Sequence, residues 1–264
     1  TISLLDAAGQ RWYGWDGGTD SLWAASVRPL LNPREMGASA ANVAAHVRAD
    51  PLLAGLAGPG ATDDAVLAEV GKALAAYQAT LVSPRSAFDD FRDALARGDL
   101  VAAARYPLAA QHGLKLFVGR ARCALCHAGP RFTHGEFADI GVPFFVTGGV
   151  DPGRHGGLRA LLADPFNRLG PHADDGGQGA VATRHVRQAH RHFGEFKVPG
   201  LRQLRHTAPY MHAGSHATLA EVVRHYDQLD EERLHADGER ILQPLGLSAA
   251  EAADLQAFLL SLSD

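Results

Sequence analysis

The sequence predicts a mostly α-helical chain with long ordered loops and little or no sheet. Three observations carry that expectation. Apolar residues recur every three or four positions in several stretches. Two capping-box patterns, Thr218-Leu-Ala-Glu221 and Ser248-Ala-Ala-Glu251, open helices near the C-terminus. No run alternates convincingly with period two, as a half-buried strand would.

The elements follow in chain order. Residues 1–62 are turn-rich, punctuated by Gly14, Gly17, Gly18, Pro29, Pro33, Gly37, Pro51 and Gly60, with a short helix around 39–48. From Asp63 to Val82, Val66, Val70, Leu74, Tyr77 and Leu81 mark one face of an amphipathic helix, and Pro84 stops it. Residues 85–118 continue as short helices. Phe88, Phe91 and Leu95 share a face there, as do Leu114 and Phe117 just before Cys123. Residues 128–200 hold few periodic segments, and GVDPGRHGG and HADDGGQGAVATRH read as loops because glycine and aspartate favour turns. A loop region of that length in a compact domain is normally functional or wraps a ligand. Helix returns in TLAEVVRHYD and again after Ser248, where Leu255, Phe258, Leu259 and Leu262 form the apolar face. No internal repeat is visible, and the expected division is 1–82 and 83–264.

Composition narrows the function classes. The 264 residues are 46% hydrophobic and 20% charged, which excludes global disorder. A formal charge of -4 gives no overall basic field for nucleic acid. No apolar run approaches the ~18 residues of a membrane span. Two cysteines exclude a disulfide-rich scaffold. The chain opens at Thr1 rather than methionine, and the expectation is a mature, trimmed or incomplete N-terminus.

Both cysteines fall in one pentapeptide, Cys123-Ala124-Leu125-Cys126-His127. C-x-x-C-H is the attachment signature of c-type haem: two thiols on one turn reach the two vinyl groups of a porphyrin edge, and the histidine turns onto the iron. A redox dithiol, a zinc site and a chance match are the competing readings. The first lacks a βαβ setting, and the second would have to recruit histidines. The iron then needs a sixth ligand or an open face. The two methionines are Met36 and Met211, and Met211 lies in the loop TAPYMHAGSH, which suits a thioether held against the far face of a ring. The alternatives are a core gap-filling role for Met211, or ligation by His212 or His206. Ten histidines lie between 155 and 235, including His185, His190 and His192, and read as surface-loop residues rather than a metal site. Residues 184–205 carry six Arg or Lys and one acid, Glu195, a local balance of +5. That excess is a solvated loop, or it pairs with haem propionates through Arg202 and Lys197, or it steers an acidic donor protein.

Four segments make the chain resemble the bacterial dihaem cytochrome c peroxidases and their relatives, including the methylamine-utilisation dihaem enzyme. They are WDGGTDSLWAASVRPLLNPREMG, KALAAYQATLVSPRSAFDDF, ARCALCHAGPRFTHGEFADIGVP and FKVPGLRQLRHTAPYMHAGSHATLAEVVRHYD. The resemblance implies a cytochrome c-like helical haem domain plus the remainder of a second cytochrome c-like domain. It implies haem c bound through Cys123 and Cys126 with His127 and Met211 as axial ligands of an electron-transfer iron, Trp15 as an electron relay between two haems, and Glu35 as the distal acid that moves a proton on peroxide. It also implies a calcium ion near Thr207 and Pro209, with Asp6 in place of the family's asparagine ligand. Two departures stand out. The family carries two C-x-x-C-H sites and this sequence one, so a second haem is expected only with a further N-terminal segment. A glutamine common in the peroxidatic pocket is matched here by Ala25.

The leading functional expectation is a periplasmic oxidoreductase that reduces hydrogen peroxide with electrons from a small donor protein of cytochrome c or cupredoxin type, as a homodimer. One alternative is a dihaem enzyme oxidising aromatic side chains of a partner protein, in which a tyrosine, here the adjacent Tyr210, replaces the methionine. The other is a single-haem electron carrier without peroxidase activity.

Overall fold

A computed structural model describes residues 2–142, 145–146, 149–176, 178–229, 236–238 and 240–264. Its helices are α1 (Leu22–Leu31), α2 (Ala40–Ala49), α3 (Asp63–Gln78), α4 (Ala87–Ala96), α5 (Leu100–Ala103), α6 (Leu108–Val118), α7 (Arg154–Ala163), α8 (Val181–His185), α9 (Leu219–Gln228) and α10 (Ala249–Leu260). Four two-residue strands, β1 (Phe137–Ala138), β2 (Phe145–Val146), β3 (Gly149–Val150) and β4 (Phe196–Lys197), form two antiparallel pairs, β1 with β4 and β2 with β3. The chain is thus mostly helical with long loops and minimal sheet, as the missing period-two pattern implies. It divides into two compact units, residues 1–82 with 152–193 and residues 83–151 with 194–264. Residues 152–193 pack with residues 1–82 in the first of these units.

In the first unit α1 packs on α3. The Ser21 side chain accepts the Ala24 N–H and caps α1, which buries Ala24 and Val27 against Leu67, Ala68 and Phe166. This helix corrects the turn-rich reading of 1–62. Pro29 lies in its last three residues, where few following N–H groups are left to disturb, and burial outweighs the proline. The short helix expected at 39–48 is α2. The helix expected from 63 runs to Gln78, and its buried face differs from the expected stripe. Val66, Leu67, Ala68 and Gly71 are buried, whereas Leu74 and Tyr77 are exposed. The face is set by contact with α1: a Cβ on Gly71 would stand 2.6 Å from Val27 Cγ2 and 2.7 Å from the Trp23 carbonyl oxygen.

A second correction is α7, expected as loop. Its glycines cost helix stability in isolation, but Leu158 and Leu161 are fully buried and Gly157 lies where a side chain would overlap the Asp16 carbonyl oxygen. α8, also expected as loop, is tied down through Asp20. That buried carboxylate accepts the Arg168 N–H at 3.0 Å and the Thr183 hydroxyl at 2.7 Å, joining 165–185 to the start of the chain.

The second unit is built around α6 and α10. Gly113 of α6 lies against the backbone of α10, where a Cβ would overlap the Asp254 carbonyl oxygen. Around this crossing Phe132 packs edge to face on Phe117 and Phe258, which meet each other at a tilt, with centroids 5.0–6.2 Å apart, and Leu219, Val223, Leu255, Leu259 and Leu262 complete the core. Both expected capping boxes are present, with Thr218 and Glu221 closing the start of α9 and Ser248 and Glu251 that of α10.

Candidate functional site

The C-x-x-C-H pentapeptide follows directly from this core. α6 ends at Gly119, where a Cβ would meet the Lys115 carbonyl oxygen at 2.6 Å, and Arg122 turns the chain with a left-handed backbone, φ 53°. Cys123–Leu125 then make one 3-10 turn, and the His127 N–H donates to the Cys123 carbonyl at 2.9 Å. Both cysteines are free thiols, half-buried. Burial pushes the Cys123 thiol up to about 11 and raises Cys126 as well. A dithiol made for redox exchange needs the opposite, a stabilised thiolate. These sulfurs instead stay protonated, the form that adds across a vinyl group.

His127 is orientated by the loop that follows it. Phe132 takes a left-handed backbone, φ 55°, and its carbonyl oxygen lies 2.9 Å from His127 Nδ1. A carbonyl only accepts, so Nδ1 carries the proton and the lone pair is on Nε2. Burial pulls the imidazole down to about 4, so it is neutral under ordinary conditions. A neutral imidazole with its rear nitrogen hydrogen-bonded is the form that binds iron. Among the described residues no three His, Cys, Asp or Glu side chains converge as a metal cage.

The loop carrying Met211 belongs to the same unit. Thr133 Oγ1 donates to the Val198 carbonyl at 2.6 Å, the Leu201 N–H to the Arg131 carbonyl at 3.2 Å, and Arg202 Nε to the Pro130 carbonyl at 2.6 Å. These bonds tie the segment after His127 to the segment leading to Met211. Arg202 also forks onto Asp89 at 2.9 and 2.8 Å, and its guanidinium holds the Asp89 carboxyl well below the usual carboxylate range. Arg202 is thus committed to α4. Lys197, the other expected propionate partner, is buried on β4, and burial lowers its ammonium to about 8.

Met211 takes a left-handed backbone, φ 67°, inside a bridge between Tyr210 and His216. The Tyr210 hydroxyl donates to the Leu204 carbonyl at 2.8 Å and its ring packs on the core, so the tyrosine is occupied structurally while the methionine is half-buried. His212 stacks on Phe196 with centroids 3.5 Å apart, and its buried Nε2 has no hydrogen-bond partner. An open polar atom beside Met211 is what a site made for a further group leaves behind. His206 is exposed, 3.5 Å from Asp264. Tyr226, which carries no separate signal in the sequence, has its hydroxyl pushed up chiefly by burial, near Cys123 and Cys126. Its only sequence signal is its place on the capped helix α9. The residues present therefore fit a haem c.

The remaining expected site residues fall in the first unit. Trp15 is half-buried in the turn before α1. Glu35 is exposed in the turn after α1, where its Oε2 accepts from Asn32 Nδ2 at 3.0 Å. Asp6 takes a left-handed backbone, φ 55°, and its N–H donates to the Leu81 carbonyl at 2.9 Å. Thr207 and Pro209, the other calcium candidates, lie in the second unit. Of the loop histidines, His185 and His190 are exposed and His235 lies outside the described residues; His225 is buried, with Nε2 donating to the Ile140 carbonyl at 3.0 Å.

Comparison with known proteins bears on this geometry. The family profile described as di-haem cytochrome c peroxidase matches residues 1–96. The chain is 34% identical to the methylamine utilization protein MauG of Methylorubrum extorquens over 98% of its own length and 63% of that protein's. It is 30% identical to a cytochrome-c peroxidase of Pseudomonas sp. strain SCT over 99% of its own length and 67% of that protein's. The chain spans 46–67% of the length of the curated relatives it matches. In fold it is similar to a MauG-like protein associated with microbial copper homeostasis, with a TM-score of 0.69, 24% identity and coverage of 100% of this chain and 75% of that one. It is also similar to the diheme peroxidase BthA of Burkholderia thailandensis, with a TM-score of 0.71, 21% identity and coverage of 96% and 66%.

Proposed function

The chain belongs to the di-haem cytochrome c peroxidase family, and from that premise we propose that it carries the electron-transfer haem c of an enzyme that reduces hydrogen peroxide with electrons from a small donor protein. The observation that carries this reading is the half-buried, neutral His127, its Nδ1 proton held by the Phe132 carbonyl, beside two protonated thiols. Haem c supplies, when bound, a one-electron redox centre at its iron.

The chain's own residues do the rest. Cys123 and Cys126 would tether the haem and His127 and Met211 would hold its iron, where a thioether ligand would raise the potential. The Arg202–Asp89 fork and the bonds from Thr133 and Leu201 hold the methionine loop against the histidine loop. Trp15 passes electrons onward through its indole. Glu35, held by Asn32, moves the proton between the two peroxide oxygens. A second haem requires a further attachment site, because this sequence holds one C-x-x-C-H. Calcium at Asp6, Thr207 and Pro209, a homodimer, and a periplasmic location, where haem is attached to such motifs, belong to the same proposal. No described helix is long and apolar enough to cross a membrane. The Tyr210 hydroxyl bond to Leu204 favours methionine over tyrosine ligation, and with it peroxide reduction over oxidation of a partner's aromatic side chains.

The test is a pyridine haemochrome assay with intact mass, alongside peroxide consumption in the presence of a reduced small cytochrome. The expected result is covalent haem that is lost in Cys123→Ser and Cys126→Ser, together with donor-dependent peroxide turnover. Covalent haem with no turnover would replace the enzyme by a single-haem carrier, and a colourless protein would remove both.

A further inference from the structure

Among the described residues, two buried side-chain polar atoms find no hydrogen-bond partner: Gln203 Nε2 and His212 Nε2. Such atoms are rare in folded proteins, because burial removes their water and supplies nothing in its place. Both lie on the segment that carries Met211. Gln203 is 2% exposed. Its backbone is fixed in the left-handed region, φ 61°, with its N–H on the Leu262 carbonyl at 3.3 Å and its own carbonyl accepting the His206 N–H at 3.0 Å. A glycine would suit that backbone and an apolar side chain would suit that burial, so the carboxamide answers neither need. His212 repeats the pattern. Its ring lies flat on Phe196, with centroids 3.5 Å and planes 10° apart, a contact that a phenylalanine would make as well. The surroundings tie both residues to the thiols. Leu201, Leu204 and Tyr210 pack on the same core as Cys123 and Ala124, and Phe196 lies on β4, which pairs with β1 after the C-x-x-C-H turn.

We propose that Gln203 and His212 receive the two carboxylates of the haem, each through a proton on its Nε2. The inference rests on the haem c reading and names the part of the chain that would hold the polar end of the group. A porphyrin tethered through its two vinyl carbons keeps two propionate side chains, and an ionised carboxylate taken out of water needs donors. A carboxamide nitrogen only donates, and an imidazole nitrogen donates when it carries the ring proton. The two cations that the sequence offers for this role are placed otherwise. Arg202 is forked onto Asp89 and bonded to the Pro130 carbonyl. Lys197 follows Phe196 on β4, and successive strand residues face opposite sides, so Lys197 faces away from His212. Each neutral donor draws charge from its carboxylate. Without it the fuller negative charge near the iron favours the ferric state.

The test compares holoproteins. Gln203→Met keeps the length and the burial and removes the donor; His212→Phe keeps the stack and removes the donor. In resonance Raman spectra each substitution should move the propionate bending band to lower frequency. At the wild-type midpoint potential, each should raise the ferric-to-ferrous ratio about threefold, read by spectropotentiometry. His212→Gln, which restores an N–H, should bring the band back toward its wild-type position. Lys197→Met should leave the band in place. A band that stays in place in Gln203→Met or in His212→Phe overturns the proposal, as does one moved by Lys197→Met. His212 adjoins Met211, so the weak sulfur-to-iron absorption at the red edge is followed in parallel; should it vanish in His212→Phe, Gln203→Met decides by itself. A colourless wild type with freely alkylated thiols removes the haem c reading. A coloured one whose band ignores both substitutions removes only the assignment of the two donors.

Discussion

Two residues of the second unit show how a single side chain carries the site. Asp89 and Arg202 are 7% and 13% exposed and meet in a two-pronged contact that anchors the segment leading to Met211 onto α4. Removing one partner of a buried pair strands the other, so Arg202→Met should cost about 3–5 kcal/mol in chemical denaturation. The Asp89 carboxyl is held below its ordinary value by Arg202 first, so its stabilisation is complete above that ordinary value and is lost as pH falls through the lower folded one. From about pH 4, the ordinary carboxylate value, downward the wild type should lose stability, and Asp89→Asn should start lower and change less. An identical acid profile for both proteins would show that the pair does not carry this dependence. At Met211 the expectation is electrochemical: Met211→Ala should lower the haem potential by on the order of 0.1 V, read by spectropotentiometry, because the thioether favours the reduced iron. An unchanged potential would take Met211 off the iron. The proposed haem residues Cys123, Cys126, His127 and Met211 are named by the sequence alone, through spacing and rarity. Asp89, Arg154 and Tyr226 are not, because their importance comes from partners more than forty residues away.

Among the elements, the α6–α10 crossing sets the platform for the haem motif. Gly113 is the contact point, and the motif begins a few residues after α6 ends. Gly113→Ala should therefore destabilise the second unit by about 1–3 kcal/mol through overpacking, although alanine is the better helix former. A thermal shift upward instead would mean that α10 can move away at no cost. The same rule explains which helices were legible. α9 and α10 carry caps and apolar faces that state their case locally, and both were expected. α7 holds Gly156 and Gly157 and forms because Leu158 and Leu161 are buried and α7 must approach Asp16 closely. α1 was hidden by Pro29 in the same way. The outer half of the expected α3 stripe, Leu74 and Tyr77, had the right period but stays exposed, since periodicity reports which residues share a face and not what covers it.

Across the whole molecule, the chain folds as two units, and the polypeptide leaves the first, builds about half of the second, and returns to the first at 152–193 before completing the second. The return is secured by Asp20, buried and bonded to Arg168 and Thr183, and by Arg154 on the Trp12–Gly17 loop. The sequence by itself determined the helical class and the family, and it named the C-x-x-C-H turn and the methionine loop as candidates, because these depend on residue type at short fixed intervals. Only the tertiary structure decided the discontinuous units, the helices rich in glycine or proline, the proton on His127 Nδ1, the occupied hydroxyl of Tyr210 and the cation over Trp12. Each of those is settled by what burial places beside a group, and burial is a property of the folded chain that no local stretch of residues contains.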